Sequence, residues 1–143
     1  MYEMSIRSYQ STDRDAVIAL WQRCELVFPQ NDPRKDIRRK LQVNPEWFLV
    51  GEKNGRLLAT CMAGYEGHRG WINYLAVEPE YRRQGLARQI VRAAETRLKE
   101  AGCPKINLQV RTANQTALGF YQAIGFAVDD VISLGKRLEP DHP

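Results

Sequence analysis

Residues 75–87 read Leu75-Ala76-Val77-Glu78-Pro79-Glu80-Tyr81-Arg82-Arg83-Gln84-Gly85-Leu86-Ala87. The apolar start, closed by Glu78-Pro79, predicts the end of a strand. Beyond the arginines, Leu86, Ile90, Val91, Ala94, Leu98 and Ala101 recur on one helical face, and Gly102 stands where a helix ends. A helix start leaves backbone N–H groups unpaired and carries about half a positive charge. Gly85 lets backbone approach a ligand, Ala87 keeps the next turn uncluttered, and Arg82, Arg83 and Arg88 add charge. Such a place suits a pyrophosphate. The loop alone reads equally well as an arginine-rich helix start with a solvated face, because single-glycine loops are common.

Outward from this unit the chain keeps a regular alternation. Upstream, residues 4–9 predict a short strand, and Thr12 with Asp15 resembles a capping box. Val17, Leu20, Trp21, Cys24, Val27 and Phe28 then predict an amphipathic helix stopped by Pro29. Asn31-Asp32-Pro33 opens a second helix, running to about Val43. Strands over 47–53 and 56–65 flank Asn54-Gly55, a hairpin dipeptide, and a third strand covers 71–77. Downstream, residues 106–110 predict a strand. Asn114 starts a helix with Ala117, Leu118, Tyr121 and Ile124 on its apolar stripe, and Gly125 ends it. Residues 126–128 and 131–138 predict two closing strands. The order βααβββαβαββ implies an α/β fold: a mixed twisted sheet, antiparallel at its centre and partly parallel later, flanked by about four helices. No repeat or linker divides it, so residues 1–143 form one domain.

The 143 residues are 43% hydrophobic and 27% charged, enough for one core and too balanced for a disordered chain. Apolar runs such as residues 16–21 fall far short of the about 18 residues that a membrane span needs. The N-terminal residues lack the apolar stretch of a secretory leader. Three cysteines (Cys24, Cys61 and Cys103), with only His68 and His142 beside them, form neither a disulfide framework nor a metal site. The expected setting is cytoplasmic. The net charge of +4 hides two basic segments: residues 34–40 carry +4, residues 82–105 carry +5, and the rest is acidic. No zinc-finger spacing, RNP-like motif or long basic arm supports nucleic-acid binding. Phosphate motifs GxxxxGK(S/T) and GxGxxG are absent.

Residues 75–87 resemble the acetyl-coenzyme A motif of the GNAT superfamily of N-acetyltransferases, whose core is (Q/R)-x-x-G-x-(G/A). Arg82, Gly85 and Ala87 fill its fixed places. Asn114-x-x-Ala117-x-x-x-Tyr121-x-x-x-Gly125-Phe126 resembles the second signature of the same family. The resemblance implies the GNAT acyl-CoA N-acyltransferase fold and acetyl-CoA as acetyl donor, with no metal. It implies that Leu75, Ala76 and Val77 pair with the pantetheine arm. The N–H groups of Arg82, Arg83, Gln84, Gly85, Leu86 and Ala87 would hold the pyrophosphate, with Arg88 beside them. Asn114 would lie near the pantetheine and Tyr121 near the sulfur. An oxyanion needs a fixed donor such as the Val77 N–H, and the departing thiolate a general acid such as the Tyr121 hydroxyl.

The acceptor is less legible. Residues 108–114 are similar to the ribosomal-protein alanine acetyltransferase branch, but Gln109 stands where that branch carries a glutamate, and residues 71–77 contain no carboxylate. Glu66 and His68 remain as candidates to assist deprotonation through water, in a loop that also reads as a solvated turn. Trp21, Phe28, Asn31 and the basic run 34–40 would wall the acceptor pocket, the run attracting an acidic acceptor or forming a solvated helix face. The expected activity is transfer of acetyl to a primary amine, on a small metabolite or a peptide N-terminus, by direct attack in a ternary complex. The alternative is an acyl-CoA-binding module with little catalysis. Monomer and homodimer both stay open.

Overall fold

The computed structural model describes residues 3–143; Met1 and Tyr2, where the stretch read as lacking a leader begins, lie outside them. Its elements are β1 (Ser5–Ser8), α1 (Arg14–Arg23), α2 (Pro33–Lys40), β2 (Phe48–Lys53), β3 (Arg56–Tyr65), β4 (Gly70–Val77), α3 (Leu86–Glu100), β5 (Ile106–Asn107) and α4 (Gln115–Ala123). The five strands form one sheet in chain order. The pairs from β1 to β4 are antiparallel and β4–β5 is parallel. Asn54 and Gly55, with φ of 53° and 77°, make the left-handed turn that joins β2 to β3.

Alternation along the strands sends side chains to two cores. Phe48, Val50 and Met62 pack with Val17, Leu20, Trp21 and Ile37 under α1 and α2. Leu49, Ala59, Cys61 and Ala63 pack with Ile90, Val91, Ala94 and Leu98 of α3, and Phe120 and Ile124 of α4 lean on that side. A bulge in β4 shifts this alternation. The register passes from Thr60↔Ala76 to Met62↔Asn73, so Tyr74 and Leu75 together stand opposite Cys61. Tyr74 has φ of 51°. Ile72 faces the α3 core, whereas Tyr74 and Ala76 face the α1 core.

Several sequence expectations are corrected. The first helix ends at Arg23, and Cys24, Val27 and Phe28 lie beyond it. Glu25 takes φ of 58°, its N–H donates to Gln22 O at 3.1 Å, and Leu26 N–H donates to Trp21 O at 2.9 Å. That is a Schellman stop built without glycine. The capping carboxylate is Asp13, which accepts from Gln10 N–H at 2.8 Å, and not Asp15. The second helix stops at Lys40, before Val43. β5 covers only Ile106–Asn107, because β4 diverges from it.

Residues 126–128 and 131–138 form no strand among the described residues. Val131, Ile132, Leu134 and Leu138 are all exposed, so no buried face fixes a register for a ladder. The segment meets the strand region through side chains: Lys105 to Asp129 at 2.8 Å, and Gln109 to Ser133. Its end is held firmly. Asp141 is buried and accepts from Asp32 N–H at 2.8 Å and from Arg39 at 2.8 Å.

Candidate active site

β4 and β5 touch only at Gly70↔Ile106 and Trp71↔Asn107. Gly70 is needed at this closed end, since a Cβ there would lie 2.8 Å from Cys103 Sγ. Beyond Trp71 the strands part, and the crevice between their C-terminal ends is where open α/β sheets hold ligands.

The β4 wall of the crevice offers backbone donors. Glu78 N–H donates to Leu58 O at 2.8 Å, so Leu58 and Glu78 are a bonded pair. Antiparallel ladders alternate bonded and non-bonded pairs, which makes the neighbouring Ala59–Val77 pair non-bonded. The Val77 N–H therefore points away from β3, into the crevice. Its carbonyl accepts the Cys24 thiol at 3.3 Å. Leu75 and Val77 present side chains to the α3 core and Ala76 to the α1 core.

At the end of β4 the chain turns into α3. Glu78 is buried and takes the Arg23 guanidinium at 3.0 and 2.6 Å, which fixes the strand end. Arg83 and Gly85 have φ of 65° and 84°, and no side chain caps α3, whose first turn carries no acidic residue. Leu86 is buried and anchors the turn, while Arg82, Arg83, Gln84 and Arg88 are exposed around it and Ala87 is half-buried. Uncapped N–H groups, the helix dipole and exposed arginines gather at this turn, an arrangement able to take an anion.

α4 supplies Tyr121. Its ring lies edge-on to Phe120 and Phe126, at 5.2 and 5.5 Å between centroids. Burial pushes its phenol pKa upward, and the nearby Cys61, the residue opposite the bulge, adds to the rise. Tyr121 thus stays protonated through the neutral range beside the place where β4 kinks. Asn114 caps α4, its Oδ1 accepting from Ala117 N–H at 3.0 Å.

Glu66 and His68 do not join this group. They occupy the β3–β4 turn, at the Gly70 end of β4, seven residues from Val77, or about 23 Å along the strand. The Glu66 carboxylate closes that turn by accepting from the N–H groups of His68 and Arg69. Gln109 is engaged by Ser133. Trp21 is fully buried and stacks on Tyr74 at 3.7 Å, so it belongs to the core and not to a pocket wall. The basic run is partly spent: Lys40 is buried against the Ala63 carbonyl, and Lys35 and Arg39 bind Asp141. A shallow hollow of about 580 Å³, lined by Arg39 and residues 135–139, lies over α2 outside the crevice.

Periodicity could not show the loop after α1, residues 24–32. It starts on the β4 wall, where Cys24 meets Val77, and crosses to the β5 side. There the Arg111 guanidinium sits 3.6 Å from the centre of the Phe28 ring. The loop spans the mouth of the crevice on its α1 side.

Residues 14–126 match the family model described as Acetyltransferase (GNAT) family. An acetyltransferase of Yersinia pestis (strain Pestoides F) is 46% identical over 138 residues, 96% of this chain and 98% of the relative. The crystal structure of Ard1 from Thermoplasma volcanium superposes with a TM-score of 0.81 at 22% identity, covering 90% of this chain and 85% of that one. AAC(6')-Iy, in complex with the bisubstrate analog CoA-S-monomethyl-acetylneamine, gives a TM-score of 0.76 at 20% identity, covering 95% and 99%. At these identities the solved structures speak to the fold.

Proposed function

The chain belongs to the GNAT acetyltransferase family and is an acetyl-CoA-dependent acyltransferase, and from that premise we propose that it acetylates a primary amine by direct attack in a ternary complex. The observation that carries this reading is the Val77 N–H aimed into the crevice where β5 has left β4. Leu75, Ala76 and Val77 bind the pantetheine arm as an added strand would. The backbone from Arg82 to Ala87 holds the pyrophosphate, with Arg88 nearby and Asn114 on the α4 side.

The amine nitrogen attacks the acetyl carbonyl carbon. Negative charge grows on its oxygen, and the Val77 N–H receives it without reorganising. The carbon–sulfur bond breaks, and the Tyr121 hydroxyl gives its proton to the leaving thiolate. The extra proton of the amine passes to water, and water returns one to the Tyr121 phenolate, so the enzyme ends as it began. Glu66 and His68 are given no direct part, since they stand at the other end of β4. The acceptor is an amine on a small molecule or a peptide N-terminus, and the setting we infer is cytoplasmic, consistent with three free thiols. The missing glutamates, at Gln109 and in residues 71–77, favour the binding-module alternative; the retained Tyr121 and relatives named acetyltransferases weigh against it.

The test is release of free coenzyme A thiol from acetyl-CoA over an amine panel. Tyr121→Phe is expected to lower kcat by about 100-fold, the range for a lost general acid, with the KM for acetyl-CoA nearly constant. Gly85→Ala, forced into φ of 84°, is expected to raise that KM instead. No thiol release with any amine overturns the proposal.

A further inference from the structure

We propose that Arg111 receives a carboxylate carried by the acceptor amine, which makes the preferred substrate class an amino acid or other small amine with an acid group a few bonds from its nitrogen. This rests on the amine-acetylation reading above and adds the acceptor's chemistry to it.

Arg111 lies four residues beyond the end of β5, on the side of the crevice opposite β4. The Phe28 ring, 3.6 Å from the guanidinium carbon, fixes the plane of the guanidinium. Among the described residues no carboxylate, carbonyl or hydroxyl accepts a hydrogen bond from it. Arginines of α1, α2 and the C-terminal segment differ in this. Arg23 is bound to Glu78, and Arg39 to Asp36 and Asp141. Arg137 donates to Asn31 Oδ1 at 2.6 Å and lies 3.5 Å from Asp141. Arg111 is therefore a donor fork, oriented in advance by stacking, whose N–H groups remain available at the crevice mouth. Planar bidentate pairing with a carboxylate is the contact this geometry favours.

The surrounding charges point the same way. Asn31 N–H bonds to Phe28 O at 3.0 Å, so Arg137 brings a second guanidinium to the turn that carries Phe28. Glu25 of the same loop is exposed, whereas two other acids, close to that turn in the structure or chain, are held by other groups. Asp32 caps α2 through Arg34 N–H at 2.9 Å, and Asp141 takes Arg39 and the Asp32 N–H. Arg137 already shares Asp141 with Arg39, so Arg111 is the guanidinium at the mouth that has no carboxylate partner among the described residues. The diphosphate cradle at Gly85 belongs to the opposite, α3 side of the sheet. An acceptor with its acid on Arg111 has its amine directed inward, toward the Val77 N–H.

The experiment compares amines that differ only in the acid: β-alanine with β-alaninamide, 4-aminobutanoate with its amide, and glycylglycine with glycylglycinamide. The wild-type chain is expected to prefer the acid member by about tenfold or more in kcat/KM, the worth of one charge-assisted bond. In Arg111→Ala that ratio falls toward one. Phe28→Leu, which keeps the charge and removes the stacking platform, gives an intermediate ratio. A preference confined to the dipeptide pair assigns the carboxylate to a peptide and not to a free amino acid. Equal turnover within every pair, or a preference that survives Arg111→Ala, overturns the inference while leaving amine acetylation intact. So does a loss carried only by the KM for acetyl-CoA. If no amine is acetylated, the acetylation reading itself fails, and titration of 4-aminobutanoate by NMR then decides. Binding that disappears in Arg111→Ala and with the amide upholds the carboxylate site, and absence of binding removes it.

Discussion

The Thr60 hydroxyl donates to the Tyr74 carbonyl at 2.8 Å while accepting the Trp21 indole N–H at 2.9 Å. One buried hydroxyl on β3 thereby ties the first helix to the bulge in β4. Thr60→Val keeps the shape and leaves an indole donor and a carbonyl unpaired in the core. The expected cost is about 2–4 kcal/mol, read as a lower urea midpoint. The tethered carbonyl belongs to Tyr74, the bulge residue with φ of 51°, so the KM for acetyl-CoA is expected to rise as well. Thr60→Ser retains the hydroxyl and should lose about 1 kcal/mol. Equal stability of the Val and Ser variants would show that the tether is dispensable.

Arg23 and Glu78 make a second tie, at the end of β4. The carboxylate is buried, whereas the guanidinium keeps about half its surface in water. Arg23→Ala strands a buried charge and is expected to cost about 2–3 kcal/mol, less than a fully buried pair because solvent reaches the site. Glu78→Gln preserves the shape and one acceptor, and should cost about 1 kcal/mol. Both variants loosen the strand end that leads into the Gly85 turn. Urea unfolding and the KM for acetyl-CoA are expected to move together across the pair. An unchanged KM in the less stable variant would separate the ion pair from the cradle.

The strand-turn-helix unit at residues 75–87 was legible because each of its signals is local: an apolar run, a proline, a glycine at φ of 84°, and a helical stripe. The hairpin at Asn54-Gly55 and the Asp32-Pro33 helix start were legible for the same reason. Glu25 was not. A left-handed stop is expected at glycine, and here a glutamate takes it at a cost of about 1 kcal/mol, so Val27 and Phe28 continue a helical period without continuing the helix. The same substitution of context for signal hides the bulge at Tyr74, which depends on Thr60 and Trp21, distant in the chain. Arg111 on Phe28 is likewise a contact between two loops, and no spacing announces it. The apolar alternation of residues 131–138 misleads in the other direction, since no buried face receives it.

Cys61 tests the packing of the α3 core. It is fully buried, and desolvation pushes its thiol up to about 12. Alkylation requires the thiolate, so at pH 8 iodoacetamide should modify the half-buried Cys24 and Cys103 and spare Cys61. Peptide mass spectrometry should find Cys61 modified only after unfolding in urea. Labelling of all three at similar rates would mean that the core opens locally. Cys24 modification carries a second expectation: an adduct breaks the thiol contact with the Val77 carbonyl and displaces the loop over the crevice, lowering activity.

Asp141 predicts an acid-dependent anchor for the end of the chain. The Arg39 guanidinium, then the Asp32 N–H, hold its carboxyl at about 2, below the ordinary aspartate value near 3.9. A folded-state pKa below the unfolded one adds stability that is complete above the unfolded value and is lost as pH falls through the folded one. The anchor is thus expected at full strength above about pH 5 and to vanish between pH 4 and about 2. Asp141→Asn removes the charge at every pH. The difference between wild type and this variant should be largest near neutrality and fade toward pH 2. The protection factor of the Asp32 amide, which donates to Asp141, reads this directly by hydrogen exchange. Trypsin gives a second reading, because Lys136 and Arg137 precede the anchor and should be cut faster in Asp141→Asn at pH 8. A constant difference from pH 7 to pH 2, or equal cleavage of the two proteins, would show that residues 135–143 are held by contacts other than this carboxylate.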